Sequence, residues 1–245
     1  MLEGLFSAAA GMNAQQQQLN AIANNLANAS TTGYRAVQVG FTDLLYSEVK
    51  EAGTATTTGA GAAARPLGYS AAPGGLRQTG NPFDLAIAGE GFFRVRNAAG
   101  QVLLTRNGSF GLDARRRIVT QNGELLDPPI TIPPEVSPSE VTISAGGLVQ
   151  ARGRTLGRIT LYAVAAPEKL LANGEGSFAV TRESGAARAV RGSSVIQGAL
   201  EGSDVEVASE LAQMALTERG YQMSANAVKV EGQMLSTANQ IYTDA

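Results

Sequence analysis

The chain has 245 residues and a net charge of −2, from 19 Lys and Arg against 21 Asp and Glu. This balance argues against a nucleic-acid binder, which needs a basic surface. Cys and His are both absent, so disulfides, thiolate nucleophiles and every His-based catalytic triad are excluded. Charged residues make up 16% of the chain, against about 25% in an average domain. This composition is typical of a structural or assembly protein, and we expect no enzymatic activity, no cofactor and no metal.

A membrane-spanning helix and a secretory leader are not predicted either. A spanning helix needs about 20 mostly apolar residues, and no window of the chain provides them. The start, Met1-Leu2-Glu3, lacks the basic region of a secretory signal. We therefore expect no membrane insertion. If the protein is exported, we expect a route that does not cleave its N-terminus.

The N-terminal segment predicts a helix with an unusual surface. No charged residue occurs from Leu5 to Tyr34, and helix formers dominate. Apolar residues recur every seven positions, as in the contact line of a coiled coil, with Ile22 in a second set. The predicted seam here is Leu5, Met12, Leu19, Ile22 and Leu26. Asn and Thr residues then predict the helix end near Asn28 and a turn by Gly33.

The C-terminal segment predicts a second helix with the same repeat. Its seam positions, none of them charged, are Val207, Met214, Tyr221, Val228, Leu235 and Tyr242. A second apolar set, Leu216, Met223 and Val230, lies about 200° around the helix. Ser203 and Glu206 have the spacing of a capping box, which predicts the helix start.

The two helices allow two interpretations. They could pack within one monomeric globule, but a surface helix of a globule normally has a charged outer face, which the first helix lacks. We therefore expect the seams to pack against other copies of the chain.

Between the two predicted helices lie two segments of different composition. Residues 49–75 are rich in Gly, Ala and Thr and predict a flexible or extended linker. From residue 76 to 198 apolar residues alternate, and turn signals such as Asn107-Gly108 separate the runs, which predicts a mostly antiparallel β domain. The expected organisation is helix and turn over 1–48, linker over 49–75, β domain over 76–198 and helix over 199–245.

Chemistry in the β domain is sparse. Arg115 to Arg117 could bind an anion, but a solvated hairpin edge is the favoured interpretation. Five carboxylates could in principle supply a glycosidase pair, although we expect scattered surface acids. They are Asp84, Glu90, Asp113, Glu124 and Asp127.

Three blocks resemble the flagellar rod and hook protein family. Leu5 to Gly11 (LFSAAAG) and Asn24 to Tyr34 (NNLANASTTGY) are similar to its N-terminal signature, Thr79 to Val95 to its central domain, and Leu200 to Val205 (LEGSDV) to its C-terminal signature. The motif residues of the N-terminal block are Asn24, Asn25, Leu26, Asn28, Thr32, Gly33 and Tyr34.

The resemblance implies an α+β protein whose terminal helices form a coiled-coil-like domain around the β domain. It implies a structural subunit of the basal-body rod that polymerises with itself into a hollow helical drive shaft, transmits torque and passes exported subunits. Implied partners are other rod and hook subunits and the flagellar type III export machinery. The implied location is the basal body outside the cytoplasmic membrane, periplasmic in a double-membrane cell. The opening MLEGLF favours the distal segment of the rod; the proximal segment stays open, as does a monomeric β-rich binding module.

Overall fold

A computed structural model describes residues 2–44, 46–51, 54–59 and 61–243. Contacts divide the chain into two compact units. The helical unit comprises residues 1–27, 37–67 and 206–245, and the β unit comprises residues 28–36 and 68–205.

The helical unit contains the two α-helices found in the described residues, α1 (Leu2–Ala27) and α2 (Val207–Thr243). Ala, Gln, Leu and Met favour the helical backbone along α1. The helix ends where Asn28 begins a turn, in which the Thr31 N–H donates to the Asn28 carbonyl at 3.0 Å. The predicted end near Asn28 is therefore confirmed.

Four strands belong wholly or mostly to the helical unit. They are β1 (Val37–Asp43), β2 (Tyr46–Glu51), β3 (Thr54–Gly59) and β4 (Ala62–Tyr69). β1 pairs with β4, and β2 pairs antiparallel with β3 from Tyr46–Gly59 to Glu51–Thr54. The prediction of a flexible or extended linker over 49–75 did not name the strands found there, for which β-branched Thr is suited even among Gly and Ala.

The β unit consists of short strands whose pairings are antiparallel. They are β5 (Leu76–Gln78), β6 (Leu85–Ala88), β7 (Phe92–Arg96), β8 (Val102–Thr105), β9 (Phe110–Leu112), β10 (Ile118–Thr120), β11 (Leu125–Leu126), β12 (Val141–Ile143), β13 (Leu148–Ala151), β14 (Arg154–Arg158), β15 (Leu161–Ala163), β16 (Leu171–Ala172), β17 (Ser177–Ala179), β18 (Arg188–Ala189), β19 (Ser194–Gln197) and β20 (Ala199–Glu201).

These strands form one large sheet and three smaller ones. The large sheet has the order β16-β17-β8-β7-β11-β10-β9, and β15 joins β7 to β18. β12, β13 and β14 form a three-stranded sheet, while β19 pairs with β6 and β20 with β5. The last pairing joins the chain just before α2 to residues 76–78.

The core of the β unit is apolar. Alternating residues such as Leu85 and Ile87 point into one cluster with Phe93, Val95 and Leu103. A second cluster contains Phe92, Leu104, Leu170 and Phe178. The predicted α+β class, with terminal helices and antiparallel strands between them, is confirmed.

The chain does not continue as one strand from β14 into β15. β14 ends at Arg158 and β15 begins at Leu161. The Ile159 N–H donates to the Gly147 carbonyl at 2.7 Å, outside the ladders of β14 and β15, and this contact separates the two strands.

Candidate functional site

The two helices pack along a line of small and polar residues. Gly4 lies against Glu231 and Gly11 against Ser224. At the other end, Asn25 Nδ2 donates to Glu210 Oε1 at 3.1 Å. Each step of seven or fourteen residues along α1 is matched by an equal step backward along α2, so the helices run antiparallel in a seven-residue register.

Gln15 also belongs to this line. Ser224 Oγ donates to Gln15 Oε1 at 3.5 Å. A Cβ at Gly220 would lie 2.7 Å from Gln15 Nε2, so the Gln15 side chain in this position lies directly over Gly220. Small residues at these positions allow the two helices to approach closely.

The seam predicted on α1 flanks this line. Leu5, Met12, Leu19 and Leu26 are half-buried, and Ile22 is fully buried. The other buried side chains of α1 are Ala14, Gln18 and Asn25. The residues of the predicted seam on α1 therefore lie beside the contact with α2 and are only partly covered. The contact itself is made by the residues that precede seam positions in the sequence, Gly4, Gly11 and Asn25.

The seam predicted on α2 is likewise half-buried at Met214, Tyr221, Val228 and Leu235. Val207 is exposed, and the side chain of Tyr242 lies outside the described residues. Whether these residues contact another copy stays a prediction.

A second face of α2 is apolar and exposed. Met223 is 68% exposed and Leu216 is 67% exposed. At 100° per residue these side chains align, and they span about 38 Å at 1.5 Å per residue. The members of this face, here called the outer stripe, are Leu216, Met223, Val230, Met234 and Ile241.

The family motif is held by specific hydrogen bonds. Asn25 Oδ1 accepts from the Val37 N–H at 2.8 Å, and Asn25 Nδ2 donates to the Val37 carbonyl at 3.1 Å. Together with its bond to Glu210, this side chain ties α1 to β1 and to α2. Asn25 is therefore a structural junction of the helical unit.

The turn after α1 requires glycine. Gly33 has φ +67°, and a Cβ there would collide with the backbone of Arg106 and Asn107. The Gly33 N–H donates to the Glu201 carbonyl at 2.8 Å. Nearby, Thr31 Oγ1 donates to Asn28 Oδ1 at 3.2 Å.

The remaining residues of the family motif differ in burial. Leu26, Asn28, Thr32 and Tyr34 are half-buried, while Asn24 is exposed.

A buried ionic cluster, which sequence reasoning missed, lies beside this turn. Glu201 is 1% exposed, and its carboxylate accepts from Arg35 Nη2 at 3.1 Å and Arg106 Nη1 at 2.9 Å. The Gly74 N–H also donates to Glu201 Oε1 at 3.1 Å. One carboxylate thus joins three segments that are distant in sequence. We call Arg35, Arg106 and Glu201 the ionic cluster.

The ionic cluster holds more positive than negative charge. Burial, and next the Arg106 guanidinium, lower the pKa of Arg35 from its ordinary value, while Glu201 and Asp204 oppose the shift. Within the part of the chain that is described, Arg35 Nη1 and Arg106 Nε have no hydrogen-bond partner.

A pocket of about 270 Å³ opens beside the ionic cluster. Arg35 and Arg106 line it, together with an aromatic group in which the Tyr69 and Phe178 rings lie 4.9 Å apart and those of Phe92 and Phe178 6.1 Å apart. The Arg106 guanidinium lies 5.5 Å from the centre of the Phe92 ring. The pocket therefore combines cationic and aromatic groups.

The predicted helix cap is not the one observed. A capping box at Ser203 and Glu206 would start the helix at residue 204, but α2 starts at Val207. Ser203 Oγ instead accepts from the Val205 N–H at 3.2 Å, closing a turn ahead of the helix. Asp204, whose Oδ1 accepts from the Ala36 N–H at 2.7 Å, holds this segment in a non-helical course.

Two of the carboxylates considered for catalysis are paired with arginines. Asp127 pairs with Arg94 and Arg96, and Asp113 with Arg117. In the arginine run, Arg116 donates to the carbonyls of Ile132 and Val136, so Arg116 and Arg117 are both engaged. Over the described ranges no group of three or more potential metal ligands comes together.

Neither helix, as far as its residues are described, has a stretch long and apolar enough to cross a membrane.

Family models match three regions of the chain, in order. Residues 5–35 match the flagella basal body rod protein, residues 86–151 the flagellar hook protein FlgE/F/G D1 domain, and residues 196–241 the flagellar basal body rod FlgEFG protein C-terminal domain.

Full-length relatives agree with these matches. The flagellar basal-body rod protein FlgG of Borreliella burgdorferi is 34% identical over 98% of this chain and 99% of its own length. The FlgG of Caulobacter vibrioides is 32% identical over 98% of this chain and 99% of its own length. The chain belongs to the flagellar basal-body rod protein family. The flagellar basal-body rod protein FlgF of Mesorhizobium japonicum is also similar, at 29% identity over 92% of this chain and 91% of its own length.

Membership of the rod family confirms the resemblance noted in the sequence. It makes the chain a structural component of the flagellar basal body. Asn25 and Arg35 lie within residues 5–35, Glu201 and Glu210 within residues 196–241, and Arg106 within residues 86–151, so each matched region supplies residues to the Asn25 junction or to the ionic cluster.

Proposed function

We propose that copies of this chain polymerise helically into the distal segment of the flagellar rod, a hollow shaft that transmits torque and lets exported subunits pass. The observation that carries the proposal is the outer stripe of α2. An apolar face of this length exposed on a single subunit is typical of an interaction surface. The FlgG relatives support the distal rather than the proximal segment.

The helix pair supports the same proposal. Its inner line is small and polar, so the antiparallel pair packs closely but buries little apolar surface. The seven-residue register is the spacing of coiled-coil packing. Neighbouring copies that cover the outer stripe and the half-buried seam would supply the missing burial, at roughly 1.5–3 kcal/mol for each large apolar side chain. A head-to-tail contact of this kind that does not close on itself yields a filament.

Partners and export follow the same reasoning. Other rod and hook subunits would contact the two ends of such a filament, since their terminal segments belong to the same family. Passage through the flagellar type III export machinery would deliver the chain to its site of assembly.

The test places one charge on or beside the outer stripe. Met223→Asp puts a carboxylate into the stripe, whereas Gln222→Asp puts the same charge on an exposed position about 100° away. We expect concentrated wild-type protein and Gln222→Asp to form tubes of defined width by electron microscopy, and Met223→Asp to remain a folded monomer. Tubes formed by Met223→Asp would contradict the role of the stripe. A wild type that stays monomeric at every concentration would favour the binding module instead.

A further inference from the structure

The sulfur atoms of the chain all belong to methionine, since there are five Met and no Cys. Among the Met side chains that the structure describes, Met223 is 68% exposed and Met234 is 54% exposed. Met12 and Met214 are half-buried. A reagent dissolved in water therefore reaches the thioethers of Met223 and Met234 more readily than those of Met12 and Met214.

Both exposed methionines belong to the outer stripe. They are 11 residues apart in α2, which places them about 20° apart around the helix and about 17 Å apart along it. Leu216 and Val230 each lie seven residues from Met223 on the same face. The accessible sulfur atoms are therefore part of the surface for which we propose a contact with a neighbouring copy.

An accessible thioether reacts with hydrogen peroxide and related two-electron oxidants. The sulfur attacks one peroxide oxygen, and the S–O bond forms as the O–O bond breaks. The sulfur loses two electrons to the peroxide, and the second oxygen takes up the released proton and leaves as water. The product, methionine sulfoxide, is polar and disrupts interfaces that contain methionine.

We propose that Met223 and Met234 are oxidation sites for a two-electron oxidant such as hydrogen peroxide, and that their sulfoxides prevent the outer stripe from binding a neighbouring copy. A sulfoxide buried at this contact would lose its hydrogen bonds to water. The effect on assembly rests on the proposed function, whereas the choice of oxidised residues depends on the single subunit alone. Oxidation acts on the free subunit, because a neighbour that covers the stripe also shields both sulfur atoms.

The first measurement locates the oxygen. Dilute protein is treated with hydrogen peroxide for increasing times, and peptide mass spectrometry follows the oxygen gained at each methionine. We expect Met223 and Met234 to be converted before Met12 and Met214, and to be protected in tubes assembled before the treatment. Equal rates at all four positions in the dilute protein would overturn the assignment of the sites.

The second measurement is the lowest protein concentration at which tubes sediment, before and after peroxide treatment. The treatment is stopped while Met12 and Met214 are still unmodified, and circular dichroism checks that the protein is folded. The oxidised wild type should need a concentration about tenfold higher or more, as for the loss of one buried apolar side chain.

Two double variants show which sulfur atoms are responsible. Met223→Leu with Met234→Leu keeps the apolar volume of the stripe but removes both of its sulfur atoms, so it should assemble equally well before and after treatment. The matched control, Met12→Leu with Met214→Leu, retains the sulfur atoms of the stripe and should lose assembly as the wild type does.

Reversal separates sulfoxide formation from other damage. The two methionine sulfoxide reductases, one for each sulfoxide epimer, should restore assembly of the oxidised wild type. Met223→Gln with Met234→Gln places polar side chains of similar length in the stripe and should raise the required concentration without peroxide. A loss of assembly that the reductases do not reverse would mean that another lesion is responsible, and the inference would be wrong.

The outcomes distinguish this inference from the proposed function. If the wild type forms tubes but the stripe variant without sulfur loses assembly after peroxide as much as the wild type, the inference is overturned while the polymer stands. The same holds if the wild type still assembles normally once Met223 and Met234 are oxidised. If the wild type forms no tubes before treatment, the proposed function fails, and the effect of oxidation on assembly fails with it.

Discussion

The two units of the molecule are stabilised in different ways. The β unit closes over side chains that water does not reach, such as Phe93 and Leu103, both 0% exposed. The helical unit buries Ala14, Gln18 and Ile22 on α1 but leaves the outer stripe of α2 in water. A unit with an enclosed apolar core supplies most of its own stability, whereas an open helix pair gains stability from whatever covers it. The two units therefore differ in how much of their apolar surface each one encloses by itself.

The largest expected effect concerns the charge inside the β unit. Glu201→Ala leaves Arg35 and Arg106 buried without their carboxylate, and we expect the free energy of unfolding to fall by about 3–5 kcal/mol. Chemical denaturation followed by circular dichroism measures the loss. Glu183→Ala, which removes an exposed carboxylate from the same unit, is the control and should change little. Equal stability of the two variants would mean that the ionic cluster does not hold the β unit together.

A direct comparison of the two units uses the same substitution in each. Leu103→Ala empties a fully buried site and should cost about 2–5 kcal/mol. Leu19→Ala, in half-buried α1, should cost about 1 kcal/mol in the dilute protein. Native-state hydrogen exchange reads the opening of the two units separately. Similar costs at the two positions would show that the helical unit has a closed core of its own, and the contrast would be wrong.

Local patterns in the sequence predicted both long helices and part of the strands. The uncharged repeat and the Asn-rich turn predicted α1 and its end, because a helix is specified by residues close in sequence. The alternation around Leu85 and Ile87 predicted β6 for the same reason. The strands β2 and β3 were missed because their Thr and Gly residues also suit a linker.

The ionic cluster could not be predicted in this way, because it is formed by residues that are far apart in the sequence. Glu201 lies 166 residues from Arg35 and 95 from Arg106, and no periodic pattern reports a pairing over such separations. The one available signal was Arg35 itself, because it is the first charged residue after the uncharged stretch from Leu5 to Tyr34. The seven-residue seam showed that one helix face differs from the others, but such a pattern does not say which neighbour covers that face.

A smaller effect tests the turn that leads from α1 into the β unit. Gly33→Ala forces a side chain into the left-handed region and against the backbone of Arg106, which should cost about 1–3 kcal/mol. Thr32→Ala, one residue earlier, is the control, and thermal unfolding measures both. If Gly33→Ala were as stable as Thr32→Ala, the turn would be free to rearrange, and the β unit would be less closed than its core indicates.

The smallest effect should have opposite signs in the two units. A Cβ added at Gly232 or at Gly100 meets no atom within 4 Å, so neither substitution is limited by space. Gly232 lies within α2, where Ala is favoured over Gly by about 1 kcal/mol, so Gly232→Ala should stabilise the helical unit. Gly100 has φ +80° in a turn of the β unit, so Gly100→Ala should destabilise it by about 1 kcal/mol. Hydrogen exchange along α2 and in the β7–β8 turn measures the two shifts. If Gly232→Ala slows exchange only along α2, the helical unit unfolds separately from the β unit. If Gly232→Ala slows exchange in both units, the two units unfold together, and the difference in stability between them would be contradicted.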